Sequence, residues 1–350
     1  MDTLEIFSRR LKNARIMKGY SMDDLSKAMN CVVSKMSISK FESGQLKPNG
    51  TTLINLSKAL DQPIDYFFRS FSIVIESIEF RKKASLGKKK EESIKEQVAD
   101  IVERYSTIEE ICNMSVPFST LPGIVRTPED AREKAREVRT MWNIGADGIV
   151  NVIALLEENG IKIVQIDAPM SFDGLSSLVN GIQPVIVLNK NFASERMRFT
   201  AMHELGHLIM NIDKSIEGKA AESICHAFAN EILLPEKVFR NVVGFRRRDI
   251  TYPELEYLQK QFGISCDAIM HKAKDINIVS DSGYRQFCIK KNSFPEYRSL
   301  IEKSIYPPET TSRFEKLVYQ ALSRELISTS NAAALLNLSI ADVNRNLNYS

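Results

Sequence analysis

Apolar residues recur at helical spacing through residues 4–68. Leu4, Phe7, Leu11 and Ala14 stand three or four positions apart, which sets them on one helix face. That run closes at Lys18-Gly19, where glycine accepts the left-handed turn of a helix end. Ser21 then reads as an N-cap, with Asp23 and Asp24 beside the positive helix end and Leu25 and Met29 pointing inward. Ser34 caps a third helix through Phe41, ended by Ser43-Gly44, and Leu53, Leu56 and Leu60 mark a fourth before Pro63. The front of the chain is therefore predicted to be a small all-helical domain.

Residues 81–92, RKKASLGKKKEE, interrupt this pattern as a charged linker or exposed helix start, after which Ile94, Val98, Ile101 and Ile108 resume a helix toward Cys112. Val116–Gly123 is rich in turn formers. The spacing is helical again from Pro128 to Trp142 and from Ile149 to Glu158, whereas Ile161–Ile166 and Val185–Leu188 are β-branched runs bounded by turn residues. The middle of the chain is thus expected to be α+β. From Glu254 onward helices dominate, with short strands expected near Tyr284–Ile289.

Composition sharpens this picture. With 350 residues, 43% apolar and 26% charged, the chain has room for two or three globular domains. No apolar run approaches the roughly 20 residues of a membrane helix, and the N-terminus MDTLEIFSRR has no signal-peptide core, so a cytoplasmic protein with no membrane partner is expected. The five cysteines, never closer than 22 positions, suggest reduced side chains rather than a disulfide framework or a cysteine-based zinc ribbon. The net charge of +3 hides an asymmetry: residues 1–95 hold 18 Lys/Arg against 11 Asp/Glu, and the remainder 29 against 33. A basic front on a neutral to acidic body favours a polyanionic partner for the first domain, and double-stranded DNA is the expected one.

The helical domain has the parts for such contact. With Val33, Ile38 and Phe41 packed inward, the helix from Ser34 to Phe41 leaves Lys35, Met36, Ser37 and Lys40 outward, and lysine donates to phosphate or to guanine edges. The run RIMKGYSMDDLSKAMNCVVSKMSISKFESGQLKP resembles the Xre-type helix-turn-helix family of phage and bacterial repressors. The resemblance implies that Lys35, Met36, Ser37 and Lys40 fall at base- and backbone-contact positions, that Arg15 and Glu42 form an internal ion pair, and that the protein works as a homodimer. Met22 departs from the pattern, standing where the family often has a DNA-touching glutamine.

The strongest chemical signal is His203-Glu204-Leu205-Gly206-His207. Histidines four apart project from one helix face and suit a single Zn²⁺ at about 2.0–2.1 Å, with Glu204 beside them as a base that takes a proton from water activated by the ion. A catalytic zinc takes three protein ligands and keeps one open position. Glu222, on the helical run AESICHAFANEILLP, ranks first as third ligand, with His226 second and Asp213 third; His226 alternatively supports Glu222 through a hydrogen bond or serves as an oxyanion donor. Glu217 and Glu231 are expected to be solvated, and His271 to be a lone histidine.

The stretch FDGLSSLVNGIQPVIVLNKNFASERMRFTAMHELGHLIMN followed by ESICHAFANEILLP resembles the ImmA/IrrE family of zinc metallopeptidases, from about Glu129 to Leu234. Its motifs here are the Asp173-Gly174-Leu175-Ser176 turn, Arg196, Arg198-Phe199, HELGH, Phe228-Ala229 and Leu234-Pro235; His226 departs, the family usually having asparagine there. The resemblance implies His203, His207 and Glu222 as zinc ligands, Glu204 as catalytic base, and PVIVLNK (184–190) as a sheet edge beside the cleft, against which an ordinary buried strand is the alternative.

The expected fold is α+β multidomain. It comprises a helix-turn-helix domain (1–70), a charged linker and helix (71–122), a zincin-like metallopeptidase domain (123–250) and a helical region (251–350) for packing or sensing. Within that region, 258–279 and 323–347 faintly resemble further helix-turn-helix units. The expected function is a bacterial DNA-binding transcriptional regulator with a zinc endopeptidase that cleaves a partner repressor, the chain itself or a toxin-associated protein. The alternative is a regulator or antitoxin whose zinc site is structural.

Overall fold

The computed structural model describes residues 2–71 and 87–348. Of the charged stretch 81–92, residues 81–86 lie outside the described residues, while 87–92 lead into a helix. The chain divides into two compact units. The described parts of the first are 2–71, 87–115 and 312–348; those of the second are 116–311.

The first unit opens with α1 (Thr3–Met17), α2 (Met22–Ala28), α3 (Lys35–Glu42) and α4 (Gly50–Leu60), followed by α5 (Lys88–Cys112). The expected caps are present. Ser21 accepts from the Asp24 amide while Asp24 Oδ2 accepts from the Ser21 amide at 2.8 Å, a reciprocal capping box, and Ser34 caps α3 by accepting from the Ser37 amide. Leu11, Leu25, Ile38, Leu56 and Leu60 are fully buried, so one apolar stripe from each of α1–α4 meets in a common core. Val33 and Phe41 are buried beside Ile38, as the spacing predicts.

The second unit runs β1 (Ile124–Val125), α6 (Pro128–Met141), α7 (Val152–Glu158), β2 (Lys162–Ile166), β3 (Gly174–Val179), β4 (Gln183–Asn189), α8 (Ser194–Ile209), β5 (Asn211–Ile212) and α9 (Lys219–Leu233). It ends with α10 (Glu236–Val243), α11 (Tyr252–Phe262), α12 (Cys266–Asp275), α13 (Asp281–Ser293) and α14 (Pro295–Ile301). Its main sheet has the order β2-β4-β3, with β4 parallel to β2 and antiparallel to β3, and β1 pairs separately with β5. Three helices, α15 (Arg313–Ser323), α16 (Thr329–Leu336) and α17 (Ile340–Asn348), return to the first unit. The helical run from 251 onward is thus shared between the two units.

Three expectations need correction. PVIVLNK is the central strand, not an edge: Val185, Ile186, Val187 and Leu188 are buried on both faces, which is what a near-continuous apolar run means in a mixed sheet. The Asp173-Gly174-Leu175-Ser176 segment, expected as a turn, feeds directly into the outer strand β3. Gly174 is required there for close approach, since a Cβ would lie 2.7 Å from Thr200 Cγ2 and 2.8 Å from the Val187 carbonyl. Tyr284–Ile289, expected as strand, is helical; Ser280 caps α13 by accepting from the Gly283 amide, and the local β propensity yields to packing of Phe287 in the core.

Candidate metal centre and candidate DNA-contact helix

Helix α8 is anchored at its start before it carries any chemistry. Glu195, buried, accepts from Gln259 Nε2 at 2.8 Å, Ser304 Oγ at 2.6 Å and the amides of Ile305 and Tyr306 at 2.9 and 3.1 Å. Burial alone would raise its pKa, but these donors, Ser304 first, hold it below the ordinary carboxylate value. Arg198, also buried, pairs with Glu309 and donates to the carbonyls of Gly263 (2.9 Å), Ile149 (2.7 Å) and Phe262 (3.1 Å). Arg196 instead reaches Asp173, at 2.6 Å. A helix fixed at its start by such bonds presents its next turns in one orientation.

That next turn is HELGH. His203 and His207, one turn apart on α8, have their Nε2 atoms 3.2 Å from each other. Glu222 near the start of α9 closes the group, with Oε2 3.1 Å from His203 Nε2 and Oε1 3.5 Å from His207 Nε2. The approach of α9 depends on Gly206: a Cβ there would stand 3.2 Å from Phe228 Cδ1 and 3.3 Å from Met210 Cε. A larger residue would push α9, and Glu222 with it, away from the histidines.

The structure therefore brings His203, His207 and Glu222 together as one cluster of potential ligand atoms, all within 4.8 Å of one another. Two nitrogens and a carboxylate make the donor set of an open zinc site, and their spacing matches the roughly 3.3 Å edge of a tetrahedron with about 2.0–2.1 Å arms. Glu204 is buried between the pair in sequence, and Ser176 Oγ on β3 donates to its Oε2 at 2.8 Å. His226 is exposed, its ring centroid 4.6 Å from that of His203 and 5.7 Å from that of Phe199, so it stands over the first histidine at the rim.

Other expectations fall elsewhere. Asp213 lies outside the cluster: Oδ2 accepts from Arg126 Nε at 2.9 Å and Oδ1 from the Ser215 amide and hydroxyl, which hold its pKa down, the Ser215 amide first. Glu231 is not solvated but 1% exposed, accepting from Lys272 Nζ at 2.8 Å and from the Glu236 amide at the start of α10. Lys272 lies 41 positions downstream, so local sequence offers no sign of that pair. His271 sits beside Asp275 Oδ2 at 3.0 Å, away from the cluster.

In the first unit, Lys35, Met36 and Lys40 are exposed on α3, Met36 at 70%. Ser37 is half-buried, its Oγ 3.0 Å from Ser34 Oγ. Arg15 donates through Nε and Nη2 to both oxygens of Glu42 at 2.6 and 2.8 Å, tying α1 to the end of α3. Lys35 Nζ lies 2.8 Å from Asp23 Oδ2, both side chains being exposed.

Comparison with protein families matches residues 11–67 to the helix-turn-helix family HTH_3 and residues 156–274 to the family described as the IrrE N-terminal-like domain, Peptidase_M78. The chain joins a helix-turn-helix domain to an IrrE-type domain. Comparison with curated proteins gives no match. The IrrE-type match spans every member of the cluster on α8 and α9 and also β3, and the helix-turn-helix match spans α1–α4 from Leu11 onward.

Two residues of the IrrE-type domain have neighbours that the sequence does not announce. Ser176 stands out there only as part of a motif, and Cys225, which reads as an inert structural thiol, places Sγ 3.3 Å from His207 Nδ1. The signal for Cys225 is its position three after Glu222, which puts it on the α9 face turned to α8. No helix among the described residues is long and apolar enough to cross a membrane.

Proposed function

We propose that the protein is a DNA-binding transcriptional regulator whose second unit is a zinc-dependent endopeptidase acting on a peptide bond in a partner protein. The observation that carries this reading is the convergence of His203, His207 and Glu222 beside Glu204 within an IrrE-type domain. His203, His207 and Glu222 would hold the ion, which when bound supplies Lewis-acid polarisation of a carbonyl and of water. Glu204 takes up the proton released as water attacks and passes it toward the leaving amine. Ser176 fixes one oxygen of that carboxylate, so the base is held in place rather than searching rotamers. His226, at the rim over His203, is positioned to donate a hydrogen bond to the oxygen on which negative charge grows. The helix-turn-helix domain sets the chain on duplex DNA through Lys35, Met36, Ser37 and Lys40.

The deciding experiment compares the wild type with Glu204→Gln. Both should bind zinc stoichiometrically and fold alike, while only the wild type cleaves an Xre-type repressor offered as substrate. Cleavage by both would remove Glu204 from the chemistry. Zinc bound by both with cleavage by neither would favour the alternative, a regulator in which the ion is structural.

A further inference from the structure

The first unit contains a set of buried charges that α1–α4 alone do not explain. Arg10 on α1 donates through Nη1 and Nη2 to both oxygens of Glu103 on α5, at 2.8 and 2.7 Å. Arg69, just beyond the helix-turn-helix core, pairs with Asp100, and Arg104 Nε donates to the same carboxylate at 3.0 Å. These five side chains carry three cations against two carboxylates. Glu96, the next carboxyl along α5, has its pKa raised chiefly by burial, feels Lys12 and Arg10 at longer range, and does not line the cavity described below. Among the described residues, the three guanidinium groups thus have two carboxylates within ion-pair distance, and burial of charge without full compensation is costly.

The shortfall is localised. Arg10 and Arg104 spend their nitrogens on Glu103, Asp100 and main-chain carbonyls, among them Leu335 O, 2.6 Å from Arg104 Nη1. Arg69 meets Asp100, and Glu103 Oε2 at 3.6 Å, through Nη2 alone: its Nε and Nη1 are buried with no hydrogen-bond acceptor among the described residues. Its guanidinium carbon lies 5.3 Å from the Tyr66 ring centroid, a contact that uses the flat face of the group and leaves the N–H directions in its plane.

Beside Arg69 is a cavity of about 170 Å³ enclosed by α5, α16 and the chain at Arg69-Ser70. It has the volume of five or six waters at about 30 Å³ each. Its lining combines the cationic side chains of Arg69 and Arg104 with the apolar side chains of Ile327, Ala334 and Leu335. Glu103 also borders it, but both of its oxygens accept from Arg10. Ile111, 39% exposed, and the exposed Asn331 mark where it opens to solvent. Water satisfies donors but supplies no charge and gains nothing from the apolar wall; an anion with a short hydrocarbon tail does both.

We infer that this cavity is a binding site for a small aliphatic monocarboxylate, its head group on Arg69 and its tail against Ile327, Ala334 and Leu335. The occupant joins the end of the helix-turn-helix core to α5 and α16, so it stiffens the DNA-binding unit and is independent of the cluster on α8 and α9.

Isothermal titration of the full chain with sodium butyrate, at an ionic strength held constant with chloride, tests the assignment. The wild type should show saturable one-to-one binding and a raised melting temperature. Arg69→Met should weaken binding at least tenfold. Because removing a buried guanidinium also risks the fold, Ala334→Phe provides a second arm: it fills the apolar end, keeps the wild-type circular dichroism and cooperative melting, and should weaken binding equally. No saturable binding to the wild type, or undiminished binding to Ala334→Phe, overturns the site. Tighter, Arg69-dependent binding of inorganic phosphate than of butyrate overturns the carboxylate assignment.

Discussion

Ser176 and Glu204 meet across the gap between β3 and α8, the serine hydroxyl donating to Glu204 Oε2 at 2.8 Å. Gly174, two residues before the serine, has no side chain and so lets the strand lie directly on Thr200 of the helix. The bond is thus a product of close packing between a strand and the helix that carries the proposed base. Ser176→Ala should leave zinc content and melting unchanged while lowering kcat on the partner protein about tenfold, equivalent to about 1.4 kcal/mol, with KM nearly constant. Ser176→Thr keeps the hydroxyl and a strand-favouring shape, and should restore most of the loss. Equal kcat in the alanine variant would show that Glu204 is held by other means.

Cys225 and His207 make a second supporting pair, with Sγ 3.3 Å from Nδ1. In the proposed zinc site, where Nε2 is given to the ion, Nδ1–H would donate to sulfur, which would fix both the tautomer and the plane of the ring. Cys225→Ala should weaken zinc affinity by about 10- to 100-fold, measured by competition with a chromophoric chelator, without unfolding the chain. Glu222→Gln should weaken it further, since a proposed ligand rather than its support is changed. Full-strength binding by Glu222→Gln would mean that the third donor is another residue.

The helical front and the histidine pair were legible because both rest on local spacing. A cap such as Ser21 or Ser34 and the four-residue interval of His203 and His207 act within one or two turns. What depends on distant partners was not legible. Glu231 looks like an ordinary surface acid until Lys272 is placed on it. The same limit hid β3: an Asp-Gly pair suits a turn, and only the pairing of Ser176 with Ile186 makes the next residues a strand. Tyr284–Ile289 failed in the opposite direction, since a short stretch holding Tyr, Phe and Ile suited a strand that the capped α13 overrides.

The anchor at the start of α8 carries a pH signature. Glu195 has its pKa held below the ordinary carboxylate value of 4.5 in the folded chain, burial opposing and the donors from Ser304 and Ile305 prevailing. A depressed folded pKa contributes stability that is present above the unfolded value and lost as pH falls through the folded one. Glu195→Gln should therefore cost about 2 kcal/mol near neutral pH, through loss of charge-assisted bonds, and the gap from wild type should narrow as the pH drops below 4.5. Urea unfolding of the second unit at several pH values reads this directly. A gap that stays constant down to the acid transition would mean that the carboxylate contributes shape rather than charge.

On α3, the helix proposed to contact DNA, Lys35 forms an exposed pair with Asp23 at 2.8 Å, an interaction of a kind that contributes only about 0–1 kcal/mol. Lys35 is therefore easily drawn to a phosphate, but Asp23 then stands close to the polyanion and opposes it. Lys40, exposed one turn and a residue further along α3, pairs with no acid among the described residues. For a random-sequence duplex, the Lys35→Ala/Lys40→Ala double variant should bind more weakly, and the slope of log affinity against log salt should shrink by about 0.9 for each phosphate that is no longer neutralised. Asp23→Asn should act in the opposite sense, tightening binding a few-fold at low salt, and this gain should fade as the Debye length falls to about 8 Å near physiological ionic strength. Fluorescence anisotropy across a salt series measures both variants together. An unchanged slope in the double variant would place the DNA-binding surface on an element other than α3.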